Sequence, residues 1–139
     1  MTRSKTLELA MFGGSDGLIA CAGIVLATAG RGAGAVLAAA IGLLIAEGLG
    51  MAVSQWLSDE AMSLRDAAVM GVSTSAPIAI VAAPWVLLTG WPALAASGVL
   101  ALALAAMIAQ ERQGGVTGWL QTYGVLIAVA GLAWAAARL

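Results

Sequence analysis

Four short polar clusters cut this chain into five apolar runs, each near the length that crosses a lipid bilayer, and that pattern leaves little freedom in the choice of fold. The clusters are GRGAG, SDEAMSLRD, TGWP and QERQGG. Between them the runs cover about 7–30, 35–57, 67–88, 93–108 and 117–137, against the roughly 20 residues a membrane helix needs. An all-α membrane protein with five transmembrane helices is expected, forming a single transmembrane domain over residues 1–139 with loops too tight for a soluble one. Composition agrees: 62% of residues are hydrophobic, 9% are charged and the mean hydropathy is +1.01, far outside the soluble globular range.

Several functions are excluded at this level. A net charge of −1 provides neither a nucleic-acid footprint nor a polybasic patch for a membrane surface. The single Cys21 rules out an internal disulfide, and the absence of histidine removes the commonest metal ligand and proton shuttle. Any metal site must therefore draw on carboxylate, amide, hydroxyl, carbonyl or thioether groups. The opening MTRSKTLELAMF runs into Gly13, Gly14, Ser15 and Asp16 and continues past signal-peptide length, so it reads as the start of the first span.

Basic residues set an orientation. With five spans, Arg3, Lys5, Arg65 and Arg112 fall on one side and Arg31 and Arg138 on the other, which places the N-terminus in the cytoplasm and the C-terminus outside; the cell (inner) membrane is the expected location. Trp56 and Trp119 are expected near the inner interface, and Trp85, Trp91 and Trp134 near the outer one, as an aromatic belt. Small residues at spacing four mark close helix contacts, and the rows Gly13–Gly17 and Gly50–Ser54–Ser58 are the candidates. Pro77 and Pro84 should bend the third span and free carbonyls.

The polar residues within the spans carry the functional reading. Asp16 lies about nine residues, or roughly 14 Å, into the first helix, and Met51 about six residues, or roughly 9 Å, from the cytoplasmic end of the second, so the two can share a depth. Glu47 sits one turn deeper than Met51 and Gln55 one turn shallower, all on one face of the helix. An ionisable group facing lipid at that depth costs several kcal/mol, about 3 on insertion scales, so it faces protein or a watered path. Structural alternatives exist for each. SDG around Asp16 could cap a helix restarting after Gly13-Gly14, Glu47 could be a protonated acid bonded to nearby backbone, and Met51 could be core filler.

Two motifs resemble a known family. FGGSDGLIACAGIVLATAG (residues 12–30) is similar to the first-helix signature of the vacuolar iron transporter family, and AEGLGMAVSQWLS (46–58) is similar to its second-helix signature. The later order also looks alike: a proline-bearing third helix, a fourth, and a glycine-punctuated fifth. The resemblance implies a five-helix homodimer with a metal path at its twofold interface, exporting ferrous iron and often manganese from the cytoplasm in exchange for protons. It matches the family's first-helix aspartate to Asp16 and its second-helix methionine to Met51, both in metal-path roles, with Ser54 and Gln55 alongside on the path. Two departures stand out. A family glutamate is Gln55 here, and Glu47 occupies a position that is usually small. The long acidic insert between the second and third helices is also replaced by SDEAMSLRD, where Asp59 and Glu60 would form a minimal cytoplasmic mouth.

The chemistry fits such a role. Ferrous and manganous ions accept oxygen ligands, and a thioether favours later transition metals over magnesium or calcium. Metal must compete with protons for Asp16 and Glu47, with Met51 as a neutral metal ligand beside them, which is a sufficient basis for antiport; no resident cofactor is expected. Partners would be a second copy, the bilayer, the metal ions and protons, and no nucleic acid. Rival readings are a proton-coupled exporter of organic cations, which would want aromatic side chains around the cation, and a non-transporting scaffold. An enzyme is not expected, since Cys21 has no partner base.

Overall fold

A computed structural model describes residues 5–111 and 115–138. The described chain is helical, without a strand: α1 (Lys5–Thr28), α2 (Ala33–Ser58), α3 (Leu64–Ala82), α4 (Pro84–Leu87), α5 (Gly90–Glu111) and α6 (Gly115–Ala136). Taken with their short extensions, these form five segments long and apolar enough to cross a membrane, with α3 and α4 making up the third. The protein is thus an all-helical membrane protein by length and composition. Arg3 and Arg112, two of the basic residues used above to orient the chain, lie outside the described residues.

Local chemistry explains the breaks. A 3-10 turn, Ala29–Arg31, follows α1. Gly32, at φ 92°, then reverses the chain in a conformation that L side chains rarely adopt. Ser63 caps α3, its hydroxyl accepting the Asp66 N–H at 3.1 Å, which satisfies one of the free donors of the first turn. At the same end Lys5 Nζ meets Asp66 Oδ2 at 3.2 Å, tying the beginnings of α1 and α3 together.

Three sequence expectations change here. The third span is not merely bent: Pro77 is absorbed within α3, whereas the chain breaks after Ala82 and Pro84 opens a separate helical turn, a first-turn position where its missing N–H costs nothing. The fourth span is longer than 93–108, because Gly90 and Pro92 start α5 rather than preceding it. Trp85 is not an interfacial anchor. It is 2% exposed, its indole N–H donates to Ser97 Oγ at 3.0 Å, and Ser97 donates onward to the Val81 carbonyl at 2.7 Å. A buried indole needs such a partner, and a serine on α5 provides it.

α3 is the centre of the bundle. α1 packs along one side of it and α2 along another, each more extensively than the two pack on one another, while α5 packs against both α1 and α3, and α6 against α1 and α5. Both seams are made by glycine. On α1, a Cβ at Gly13 would meet Ser73 Oγ at 2.5 Å and the Met70 carbonyl at 2.7 Å, and one at Gly17 would run into the Thr74 backbone. On α2, Gly48 abuts Ser75, and a Cβ at Gly71 would lie 2.6 Å from the Gly48 carbonyl. Lipid tails are as apolar as leucine, so helices here gain by close backbone approach, and glycine permits it. The Gly13–Gly17 row is therefore a packing face. The Gly50–Ser54–Ser58 row makes no contact within the chain: these residues are exposed and Gly50 has nothing near it, and the seam with α3 falls on Gly48 and Ala52. The remaining core gathers Leu18, Val25, Val36, Ile78, Val81 and Leu126.

Candidate functional site

The two seams put the intramembrane carboxylates at one level. Gly17 touches α3 at Thr74, and Gly48 touches it at Gly71 and Ser75. Asp16 and Glu47 each immediately precede those glycines, so both lie beside the single turn of α3 spanning residues 71–75. Ala52 meets Gly71, which brings Met51 to the lower edge of the same turn. A shared depth for Asp16 and Met51 thus extends to Glu47, with α3 as the common reference.

Asp16 sits inside an unbroken helix. α1 runs from Lys5 to Thr28, so no helix restarts after Gly14 and Asp16 caps nothing. Ser15 spends its hydroxyl on its own helix, donating to the Phe12 carbonyl at 2.9 Å. Glu47 has no hydrogen bond to neighbouring backbone. Among the described residues the ion pair found is Lys5–Asp66, and neither Asp16 nor Glu47 has a hydrogen-bond or charge partner. Both are half-buried, as are Met51 and Gln55.

On α2 these residues continue a stripe that is covered elsewhere. Val36, Ala40, Glu47 and Met51 recur at helical spacing on one face. Near the α1–α2 turn the stripe is buried, with Val36 at 0% exposure and Ala40 at 4%. Further along, from Glu47 to Gln55, it is only partly covered. The face that bears the carboxylate is therefore an open flank rather than an enclosed chamber. The described cavities are lined by other residues; the largest, an apolar groove of about 700 Å³ between α2 and α3, is walled by residues such as Ile45, Leu49, Val53 and Val72.

Three hydroxyls on α3 share this level and escaped the sequence reading. Ser73 and Thr74 both donate to the Met70 carbonyl at 2.9 Å, and Ser75 donates across the seam to the Leu44 carbonyl at 3.3 Å. Each has spent its proton on backbone, so each oxygen retains only acceptor capacity. Pro77, having no N–H, leaves the Ser73 carbonyl without its usual helical partner; that oxygen lies 3.8 Å from a Cβ placed on Gly14 of α1. The signal was the run STS two residues before a proline in an otherwise apolar span.

The remaining polar residues bond locally. Ser54 is exposed and donates to the Met51 carbonyl at 3.4 Å. Asp59 Oδ1 accepts the Ala61 N–H at 2.9 Å, closing the turn between α2 and α3, and Glu60 is exposed beside it. No three acidic or cysteine side chains lie together as a metal cluster among the described residues. Asp16 and Glu47 stand as a pair, with Met51 as a neutral soft donor. No family model, curated protein or solved structure matches the chain.

Proposed function

We propose that this chain is a transporter of divalent transition-metal ions, ferrous iron and manganese, exporting them from the cytoplasm in exchange for protons as a homodimer in the cell membrane. One observation carries the reading: two carboxylates on different helices, Asp16 and Glu47, flank the same turn of α3 within apolar spans, and no cation among the described residues pairs with them. Uncompensated carboxylates at that depth are costly and are retained where an ion or a proton visits them.

The residues divide the work by chemistry. Asp16 and Glu47 supply charged oxygen, and Met51 supplies a softer donor. A carboxylate that holds a proton cannot hold the metal, so acidity on the receiving side releases the cargo and metal arrival releases protons. A twofold axis beside the open flank of α1 and α2 would double each donor and enclose the path. The similarity of FGGSDGLIACAGIVLATAG and AEGLGMAVSQWLS to the vacuolar iron transporter signatures supports the same arrangement, with Asp59 and Glu60 at the entrance.

The test is flux in proteoliposomes of the purified full-length chain, with a pH dye and an inside-acid gradient, for ferrous and manganous ions. Wild type should carry metal inward and protons outward. Asp16→Asn and Glu47→Gln should each bring flux to the liposome background while the oligomer stays intact, and Met51→Ala should reduce it. Undiminished flux in both carboxylate variants would overturn the assignment. Gln55→Glu should strengthen proton coupling, read as more protons moved per metal ion.

A further inference from the structure

Charge is divided unevenly between the two ends of the bundle. Of the seven acidic residues, Asp16 and Glu47 lie at mid-depth and the other five lie near the end where α1 begins. At the opposite end, where α1 turns into α2 and α6 finishes, the described residues include Arg31 and Arg138 and no carboxylate side chain. Among the described residues no acidic side chain at this end balances them.

Both arginines line one cavity of about 530 Å³, together with Leu26, Leu94, Trp91 and Trp134. Arg138 stacks on Trp134, its guanidinium carbon 3.5 Å from the ring centre. Stacking uses the face of the guanidinium and leaves its N–H donors in the plane, the geometry that grips a phosphate through two oxygens. Neither arginine has an ion-pair partner among the described residues. Trp91 is 80% exposed and Trp134 51%, at the end of a membrane span, where indoles sit at the headgroup level.

We propose that this cavity holds the phosphate of an anionic phospholipid from the leaflet at that end, with Arg31 and Arg138 on the phosphate. The upper acyl chain lies along Leu26 and Leu94. A free phosphate shares the headgroup chemistry, but the apolar wall and the flanking tryptophans favour the tethered form. The site stands apart from the transport reading, since none of the residues assigned to the metal path reaches it.

The test uses the full chain in phosphatidylcholine vesicles doped with a small fraction of brominated phosphatidylglycerol or, separately, brominated phosphatidylcholine, with quenching of tryptophan emission as the readout. At equal fraction the anionic lipid should quench more strongly, with a preference of about fivefold for each arginine engaged. Arg31→Gln with Arg138→Gln should abolish the preference, whereas Arg65→Gln, at the other end of the bundle, should retain it. Excess inorganic phosphate should leave the preference unchanged. Equal quenching by both lipids in wild type, an equal loss in Arg65→Gln, or reversal by inorganic phosphate would each overturn the proposal.

Discussion

α3 and α6 are both apolar membrane helices, yet they are held in different ways. Eight of the nineteen residues of α3 are buried, against two of the twenty-two in α6. Hydrophobicity does not separate them. What separates them is the neighbour offered to each glycine: Gly71 on α3 faces the Gly48 carbonyl, whereas Gly124 and Gly131 on α6 face open space. In a bilayer a greasy surface is satisfied by lipid, so fixed contacts form only where backbones can meet. The candidate site is built on the fixed pair of seams, and α6 remains a flank for lipid or for another subunit.

The contrast can be broken most severely at Gly17. Gly17→Val should leave little folded protein in detergent, because the obstacle is the Thr74 backbone rather than a side chain that can turn away, and the cost should exceed the usual ~1–3 kcal/mol of overpacking. Recovery of a monodisperse, normally melting protein would show that the α1–α3 seam is not closed. Trp85→Phe should lower thermal stability by about 1 kcal/mol by removing the donor to Ser97; an unchanged melting temperature would mean that packing alone holds α4. Ser75→Ala tests the α2–α3 seam and should cost about 0.6 kcal/mol, the usual scale of an interhelical hydrogen bond in membranes. The smallest effect belongs to α6. Gly124→Ala should be neutral or stabilise by up to ~1 kcal/mol through helix propensity, and loss of oligomer on size-exclusion chromatography would instead place α6 at a subunit contact.

Five spans and the Gly13–Gly17 contact were legible because length, turn residues and small-residue spacing are local signals. The misread features depended on depth or on a partner. Trp85 resembles any interfacial tryptophan until Ser97, twelve residues on, is seen to accept its N–H. Gly50, Ser54 and Ser58 have the same spacing as a packing row but do not face α3, and nothing within one helix says which side meets it. Asp16 and Glu47 stood out in the sequence because ionisable groups are rare in such runs, and Met51 joined them through its four-residue spacing from Glu47. The Ser73–Ser75 hydroxyls were overlooked because serine and threonine pass unnoticed in helices, where they bond to the preceding turn. Their meaning came only from the level at which both seams cross.

The tight reversal at Ala29–Gly32 also acts as a mechanical pivot. Its backbone is cross-linked, Gly32 N–H to the Ala29 carbonyl and Ala35 and Val36 N–H to the Gly32 carbonyl, so α1 and α2 cannot slide past one another along their axes. What freedom the turn leaves is angular, and the seams with α3 restrain it. Asp16 and Glu47 sit twelve and fourteen residues from the helix ends at this pivot, a lever arm of roughly 20 Å. At that distance a rotation of only about 6° would displace either carboxylate by about 2 Å, which is why the Gly17 and Gly48 seams with α3, and not the turn alone, fix where the two acids stand.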